Sequence, residues 1–251
     1  MNWSLRFLGT GSAEHSGLGH SAAVLEHDGQ PVLLIDCGFD VIPRFVQRYD
    51  GLPPAIFLTH LHLDHVGGLE ALFSRIMFGA ERLPPPALFV PAALVPLMQS
   101  RLADYPNVAA EGGFNFWDAF RLVPCSRGFW WQQHWFDVFG TRHHRPGTSF
   151  GLVLRGCFTY TGDTRPIADI LDDVAEAGGP IAHDCALHGN PSHTGVDDLD
   201  TYPGDLRTRL LLYHYASEDD AQALQERGYR VARPGQAVEL PPPAPDASRS
   251  G

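Results

Sequence analysis

Residues 55–68 read Ala-Ile-Phe-Leu-Thr-His-Leu-His-Leu-Asp-His-Val-Gly-Gly, an apolar run that leads into a dense group of polar side chains. The run has the composition of a buried β-strand, and the residues after the stretch have the pattern of a helix. The i, i+2 spacing of His60 and His62 points both imidazoles to the same side of an extended turn. Asp64 and His65 then enter the helix start, so we expect the four side chains to face two adjacent metal positions.

The chemistry of these four side chains is that of a metal site. Imidazole nitrogens and carboxylate oxygens bind zinc, manganese or iron in proteins. A solvated, histidine-rich turn is the alternative, and a single histidine would favour it. Three histidines and an aspartate directly after a strand make that alternative a rare coincidence. The stretch therefore predicts a metal site at a strand end, and further ligands are expected at the ends of later strands.

The His-x-His-x-Asp-His motif resembles the signature of the metallo-β-lactamase superfamily of metal-dependent hydrolases. Other segments resemble the ribonuclease Z branch of that superfamily, and they occur in the expected order. These segments are Phe-Leu-Gly-Thr-Gly-Ser at 7–12, Ser-Phe-Gly at 149–151, Tyr-Thr-Gly-Asp-Thr-Arg-Pro at 160–166, Ser-His-Thr at 192–194, and an apolar strand ending in histidine at 210–214. The resemblance covers most of the chain, from Leu8 to about His214.

The fold implied by the resemblance is an α/β (α+β) architecture, the four-layer αββα sandwich, in which two mixed β-sheets face each other with helices outside. Residues 1–239 are expected to form a single hydrolase domain whose halves meet around residues 112–128. Residues 92–102 have the pattern of one amphipathic helix. The proline-rich residues 240–251 are expected to be a disordered tail.

The resemblance also implies seven ligands for two divalent metal ions, with zinc first and manganese or iron as alternatives. The implied ligands are His60, His62 and His143 for one metal, Asp64, His65 and His214 for the other, and Asp163 as the bridge. A carboxylate suits the bridge because it offers an oxygen to each cation and offsets their charge.

Two adjacent histidines compete for one of these ligand positions. Strand alternation places Phe139, Thr141 and His143 on one side, which favours His143 as the ligand. His144 is the alternative, since the Pro-Gly that follows permits a shift of one residue. The histidine that is not the ligand would be exposed or would face the substrate.

Catalytic roles are expected for Asp64, Asp163 and His193. By resemblance, His193 corresponds to a histidine placed near the scissile phosphate. Contact with phosphate or general-acid catalysis by His193 competes with a structural role in its own loop.

Other polar positions have open roles. Asp36 follows a predicted strand at a place where the family supports the metal loop, and a turn aspartate that binds backbone amides is the equal alternative. The family has His-Glu-Ala where this chain has His183, Asp184 and Cys185, so an identical proton relay does not follow. His183, Asp184 and His188 receive no role from the sequence.

Together these features predict a two-metal hydrolase in which a hydroxide between the metals attacks the substrate. Two cations favour an anionic oxygen that both can bind. The first expectation is therefore a phosphodiesterase acting on a small phosphodiester such as a cyclic nucleotide, or on RNA ends. Hydrolysis of a carboxylic ester, lactone or thioester by the same metals is the alternative. A sensor that binds metal without turnover is a third hypothesis.

The charge of the chain bears on the substrate. The net charge is −11 with no Lys/Arg-rich block, which argues against strong nonspecific binding to nucleic acid. Nineteen residues lie between His143 and Asp163, too few for the strand hairpin plus the tRNA-clamping arm of ribonuclease Z. A small anionic substrate is therefore expected, and tRNA is not.

The sequence predicts a cytoplasmic protein without membrane contact. It has no signal peptide and no run approaching the roughly 18 apolar residues of a spanning helix. The four cysteines are widely scattered, as expected for buried reduced thiols. Residues 114–139 are rich in aromatic side chains, for which core packing is the first interpretation and a homodimer surface a further hypothesis.

Overall fold

The computed structural model describes residues 2–14, 17–79, 84–104, 114–175 and 178–245. Within these residues, two seven-stranded β-sheets form the centre of the molecule. The first sheet contains β1 (Trp3–Gly9), β2 (Ala22–His27), β3 (Gln30–Ile35), β4 (Ala55–Phe57), β5 (Ala87–Pro91), β6 (Arg121–Cys125) and β14 (Ala237–Leu240). The second contains β7 (Gly128–Trp131), β8 (His134–Gly140), β9 (Phe150–Leu154), β10 (Phe158–Tyr160), β11 (Ile181–Asp184), β12 (Leu210–Tyr213) and β13 (Arg230–Val231).

Helices cover the outer face of each sheet. Beside the first sheet lie α1 (Val41–Tyr49), α2 (Leu63–Val66), α3 (Gly68–Phe78) and α4 (Val95–Met98). Beside the second lie α5 (Ala168–Val174), α6 (Val196–Leu199), α7 (Gly204–Arg207) and α8 (Glu218–Glu226). Short 3-10 turns occur at Ala92–Leu94 and Phe116–Ala119, and a π-helical turn at Gln99–Ala103. None of the described helices combines the length and the apolar character needed to cross a membrane.

The two sheets have corresponding strand arrangements. In the first sheet, β3, β4, β5 and β6 run parallel, while β14, β1 and β2 continue the sheet from β3 with antiparallel pairing. In the second, β10, β11, β12 and β13 run parallel, and β9, β8 and β7 are antiparallel. Parallel strands end at the same edge of a sheet, which is where ligand sites form in such folds. The predicted site residues follow these strand ends.

Alternation along the strands produces four layers. In β4, Phe57 points into the core between the two sheets, and Ile56 points toward the helices of the first sheet. In β12, Tyr213 faces the same central core, whereas Leu212 packs beneath the helices of the second sheet. Each strand therefore serves two cores at once, and full burial of one such apolar side chain contributes roughly 1.5–3 kcal/mol. The predicted αββα sandwich is confirmed.

The helix predicted at residues 92–102 is divided in the structure. A 3-10 turn comes first, α4 begins at Val95 with Pro96 in its first turn, and the chain then widens into the π-helical turn. Pro96 has no backbone N–H to give to a preceding turn and favours the start of a helix. The amphipathic pattern is retained, because Met98 and Leu102 are both buried.

The C-terminal strand β14 was not predicted, and it extends to the first residue of the expected tail. Val238 and Leu240 are buried and alternate with the exposed Ala237 and Glu239, and Leu240 pairs with Trp3 of β1. Residues 246–251 of the expected tail lie outside the described residues. The chain passes from the first sheet to the second between β6 and β7, within the range 112–128, although residues 112 and 113 are not among those described.

Candidate metal centre

Asp163 lies at the centre of the site because the chain turns sharply after β10. Gly162 has a φ of 63°, a left-handed conformation that glycine adopts without strain. The turn places Asp163 Oδ2 3.6 Å from His60 Nε2 and 3.3 Å from His214 Nε2. Asp163 Oδ1 lies 3.4 Å from His65 Nε2. One buried carboxylate therefore faces histidines from both halves of the molecule.

The predicted ligands form two groups around this carboxylate. In each group the possible ligand atoms all lie within 4.8 Å of one another. The groups are His60, His62, His143 and Asp163 on one side, and Asp64, His65 and His214 on the other. The structure thus brings together all seven side chains that the sequence predicted to meet.

The inner atoms of this cluster lack hydrogen-bond partners. His60 Nε2, His65 Nε2, His214 Nε2 and Asp163 Oδ1 are buried and have no hydrogen-bond partner among the described residues. An unpaired buried polar group costs about 1–3 kcal/mol, so four of them in one cluster call for another partner. Imidazole nitrogen and carboxylate oxygen fit a divalent cation. The cluster is therefore a divalent metal-binding site.

Asp36 organises the first half of the cluster from behind. Its Oδ2 accepts hydrogen bonds from His65 Nδ1 and from Thr59 Oγ1, each at 2.8 Å, and its Oδ1 accepts one from Thr59 N at 2.8 Å. Because the Thr59 hydroxyl donates its hydrogen bond to Asp36, its oxygen accepts a hydrogen bond from His60 Nδ1 at 3.0 Å. Nε2 of both histidines is left for a metal. The structure shows both roles that the sequence left open for Asp36, since it accepts from the backbone amide of Thr59 and also from the side chain of His65.

The loop after β3 passes very close to the helix that carries two ligands. A Cβ at Gly38 would lie 2.0 Å from the backbone oxygen of Asp64, so no larger residue fits there. Cys37 N donates to His65 O at 2.6 Å, and Gly68 N donates to Cys37 O at 2.9 Å. These backbone bonds hold the loop and α2 in one arrangement.

His214 is fixed by the Gly-Thr-Gly-Ser turn at residues 9–12, a contact that sequence reasoning missed. Its φ of 72° is unfavourable for a residue other than glycine, at a cost of order 1–3 kcal/mol. Its N–H donates to Thr10 O at 2.7 Å, and Thr10 Oγ1 donates to Tyr215 OH at 2.8 Å. The resemblance of this turn to family members was the only sequence signal, because contact between residues so far apart is not visible in the sequence.

His143 joins the cluster and His144 does not. His143 is buried, and its Nδ1 donates to Ser192 O at 2.9 Å, because a carbonyl oxygen only accepts. Its Nε2 lies 3.1 Å from His62 Nδ1, among the ligand atoms. His144 is exposed and has a φ of 49°, so its ring belongs to neither ligand group.

The charges of the site shift several pKa values. Burial raises the pKa of Asp163, but His214, His65 and His60 outweigh burial and hold that pKa well below its usual range. Burial lowers the pKa of His214, and the carboxylates of Asp163 and Asp184 outweigh it and raise that pKa to about 9. The pKa of His65 is likewise raised despite burial, chiefly by Asp163. A cation bound by the cluster would therefore replace protons on His65 and His214.

Asp184 organises the second half of the site. Its Oδ2 accepts hydrogen bonds from His193 Nδ1 and Thr164 N, each at 2.9 Å. Its Oδ1 lies 3.4 Å from His214 Nδ1. The aspartate side chain is therefore long enough to reach His193. His193 Nδ1 also lies 3.9 Å from Asp163 Oδ2, so its ring stands beside the cluster.

The other two histidines of this region have different surroundings. His183 is buried, and its Nε2 lies 3.2 Å from the Tyr202 hydroxyl, so it belongs to the packing of the second half. His188 is exposed and lines a cavity of about 540 Å³. This cavity reaches the metal cluster at Asp64, Asp163, His193 and His214.

The chain matches known proteins over nearly its full length. The family described as Anti-Pycsar protein Apyc1 matches residues 3–238. The Anti-Pycsar protein Apyc1 of Paenibacillus harenae is 28% identical over 246 residues, which cover 94% of this chain and 99% of that protein. The protein of the same name from Paenibacillus xerothermodurans is 30% identical over 230 residues, 87% of this chain and 90% of that protein.

Solved structures share the fold. The metallo-β-lactamase fold protein YhfI from Bacillus subtilis superposes with a TM-score of 0.72 at 13% identity, covering 95% of this chain and 100% of that one. The short form of human tRNase Z gives a TM-score of 0.66 at 22% identity, with coverage of 95% and 100%. The metallo-β-lactamase fold that the resemblance implied is confirmed. Within that fold, the chain belongs to the Anti-Pycsar protein Apyc1 family.

Proposed function

We propose that this protein is a two-metal phosphodiesterase that hydrolyses a small anionic phosphodiester such as a cyclic nucleotide, with zinc in both metal positions. The observation that carries the proposal is the convergence of two ligand groups on Asp163, beside a histidine held by Asp184. The broader class, a metal-dependent phosphodiesterase, rests on this centre together with the fold and the family.

Two ligand groups support two ions. His60, His62 and His143 would hold one ion, Asp64, His65 and His214 the other, and Asp163 would bind both. Asp163 suits the bridge because Oδ2 faces His60 and Oδ1 faces His65. When bound there, divalent cations supply an activated water and offset the charge of the phosphoryl oxygens. Nitrogen and oxygen donors without cysteine are compatible with zinc, and also with manganese or iron.

His193 is the group placed to protonate the leaving oxygen. Asp184 accepts a hydrogen bond from His193 Nδ1–H, so Nε2 is the ring nitrogen available to a substrate at the cluster. His193 would give the Nε2 proton to the departing alkoxide, while the hydrogen bond from Nδ1 to Asp184 holds the ring in position. An alkoxide, the leaving group of a cyclic nucleotide, needs this proton because it is a strong base.

The dimensions and charge of the site support a small substrate. Strands β8 and β9 are joined by residues 141–149 alone, which leaves no room for an inserted RNA-binding arm. The cavity of about 540 Å³ at the cluster has the size of a small-molecule pocket, about 300–1,000 Å³. The net charge of −11 disfavours a long polyanion.

The test is hydrolysis of bis(p-nitrophenyl) phosphate and of cyclic nucleotides by the zinc- or manganese-loaded protein, with p-nitrophenyl acetate in parallel. We expect phosphodiester turnover that chelation abolishes and that Asp163→Ala reduces to background, because both ligand groups lose their shared carboxylate. Asp205→Ala, a matched change at an exposed carboxylate on α7, should retain it. Turnover of the acetate alone would overturn the proposal in favour of a carboxylic ester hydrolase.

A further inference from the structure

A second cavity adjoins the metal centre on the side of the His60, His62 and His143 group. Its volume is about 350 Å³, and His62 lines both this cavity and the larger one beside His193. The remaining lining is Leu61, Leu94, Leu97, Ser100, Arg101, Thr148 and the exposed His144. A ligand whose phosphodiester lies at the cluster can therefore extend into this second cavity.

The wall of this cavity is held in place from behind. Met98 and Leu102 are buried in the core of the first half. Gln99 Oε1 accepts a hydrogen bond from Trp117 Nε1 at 2.6 Å. These contacts fix the π-helical turn, an element that is common at functional sites. The turn and the preceding α4 present Leu97 and Arg101 to the cavity.

The wall combines an apolar face with directional polar groups. Leu97 is 44% exposed, whereas Leu94 and Met98 of the same segment are buried, so Leu97 offers apolar surface to a flat ligand. The Ser100 hydroxyl donates to Leu97 O at 3.1 Å, which leaves its lone pairs for a ligand. No hydrogen bond or ion pair to another described residue engages the guanidinium of Arg101.

We propose that this cavity binds the base of a cyclic nucleotide and that Arg101 selects bases with two adjacent acceptor atoms. This inference rests on the proposed function and adds the base specificity of the same site. A guanidinium carries only donors, arranged as a fork. That fork pairs with O6 and N7 of guanine, and the adjacent O2 and N3 of cytosine present the same pattern. Adenine and uracil have no such pair, because the amino group of adenine lies beside N1 and N7 and the N3–H of uracil lies between O2 and O4. One of the two hydrogen bonds to the guanidinium is therefore lost.

The experiment compares kcat/KM for four cyclic nucleotides in two size-matched pairs, guanine with adenine and cytosine with uracil. In the wild-type protein, kcat/KM should be on the order of tenfold higher for the guanine nucleotide than for the adenine one, and for the cytosine nucleotide than for the uracil one. Arg101→Ala should abolish both preferences, and Arg101→Lys should do so too, because lysine keeps the charge and lacks the fork. Arg230→Ala, at an exposed arginine in β13 of the second sheet, should keep them.

A binding measurement separates this inference from the proposed function. Calorimetric titration with hydrolysis-resistant phosphorothioate analogues of the four nucleotides should show the same preferences, and Leu97→Ala should weaken all four equally. Equal affinities within each pair, or preferences that persist in Arg101→Ala, would overturn the base site. If bis(p-nitrophenyl) phosphate is not hydrolysed at all, the proposed function fails, and the titration still decides the base site.

Discussion

Asp36 and Asp184 are buried aspartates at strand ends, one in each half of the molecule. Asp36 follows β3 of the first sheet, Asp184 ends β11 of the second, and both are fully buried behind the metal cluster. Asp36 uses both oxygens to orient metal ligands, His65 directly and His60 through Thr59. Asp184 instead divides its oxygens between a ligand, His214, and His193.

The difference assigns distinct tasks to the two halves. Every contact of the Asp36 carboxylate fixes the tautomer or position of a group that does not move during a reaction. Asp184 also holds a histidine that is 19% exposed and faces a cavity, so its half can exchange a proton with a substrate. Loss of support in the first half should therefore act on metal affinity, and loss in the second half on the chemical step.

Among the changes that separate the two halves, the largest expected effect on turnover comes from removing His193. His193→Ala should lower kcat on a cyclic nucleotide by roughly 10²–10⁴, the usual contribution of a general acid. The effect on bis(p-nitrophenyl) phosphate should be much smaller, because p-nitrophenolate leaves without a proton. Steady-state kinetics on both substrates at equal metal loading measure the ratio. An equal loss on both substrates would contradict the role of His193 as an acid.

Asp36→Asn should weaken metal binding and leave the chemical step unchanged. The amide has one acceptor oxygen where the carboxylate has two, so either Thr59 N or the pair His65 Nδ1 and Thr59 Oγ1 loses its acceptor. Metal affinity should therefore fall about 10–100-fold. The unsatisfied buried groups should also lower the free energy of unfolding by about 1–3 kcal/mol. Competition with a chromogenic chelator and chemical denaturation measure these two effects. At saturating metal, any loss of kcat should be equal for the two substrates. A loss of kcat on the cyclic nucleotide alone would show that Asp36 also acts on the chemical step, and would contradict the separate roles of the two halves.

Metal affinity should rise with pH because the cation displaces protons. The pKa of His214 is raised to about 9, so between pH 7 and 9 each displaced proton makes the metal affinity about tenfold stronger per pH unit. Chelator competition at pH 7, 8 and 9 tests this rise, and an affinity that does not change would refute it.

The same shift also affects the stability of the metal-free protein. Because the pKa of His214 is higher in the folded state, protonation of His214 stabilises the fold fully below the ordinary histidine pKa, and this stabilisation is lost as the pH rises through about 9.

The sequence was most informative where the chemistry is local. Three histidines and an aspartate in residues 60–65 needed only a strand and a turn to converge, and Asp163 and His214 came from strand-end motifs. The choice between His143 and His144 was left open because alternation applies only to extended backbone. The left-handed φ of 49° at His144 is a conformation that a residue-by-residue pattern does not encode.

Contacts between distant parts of the chain could not be inferred. The bond from His214 to Thr10 depends on how the two sheets meet, and the contact of Asp184 with His193 depends on the course of the loop that follows β11. The short strand β14 has a period-two pattern, but the prolines that follow it suggested a tail. The π-helical turn beside the second cavity was likewise hidden, because its buried positions also fit an ordinary helix.

The central claim is that two metal ions, joined by Asp163, act in one phosphodiesterase centre. The most direct test is titration of the metal-free protein with zinc while hydrolysis of a cyclic nucleotide is recorded. Turnover should appear only as the second equivalent binds and should level off at two ions per chain. Full turnover with one equivalent, or none with two bound, would contradict the account.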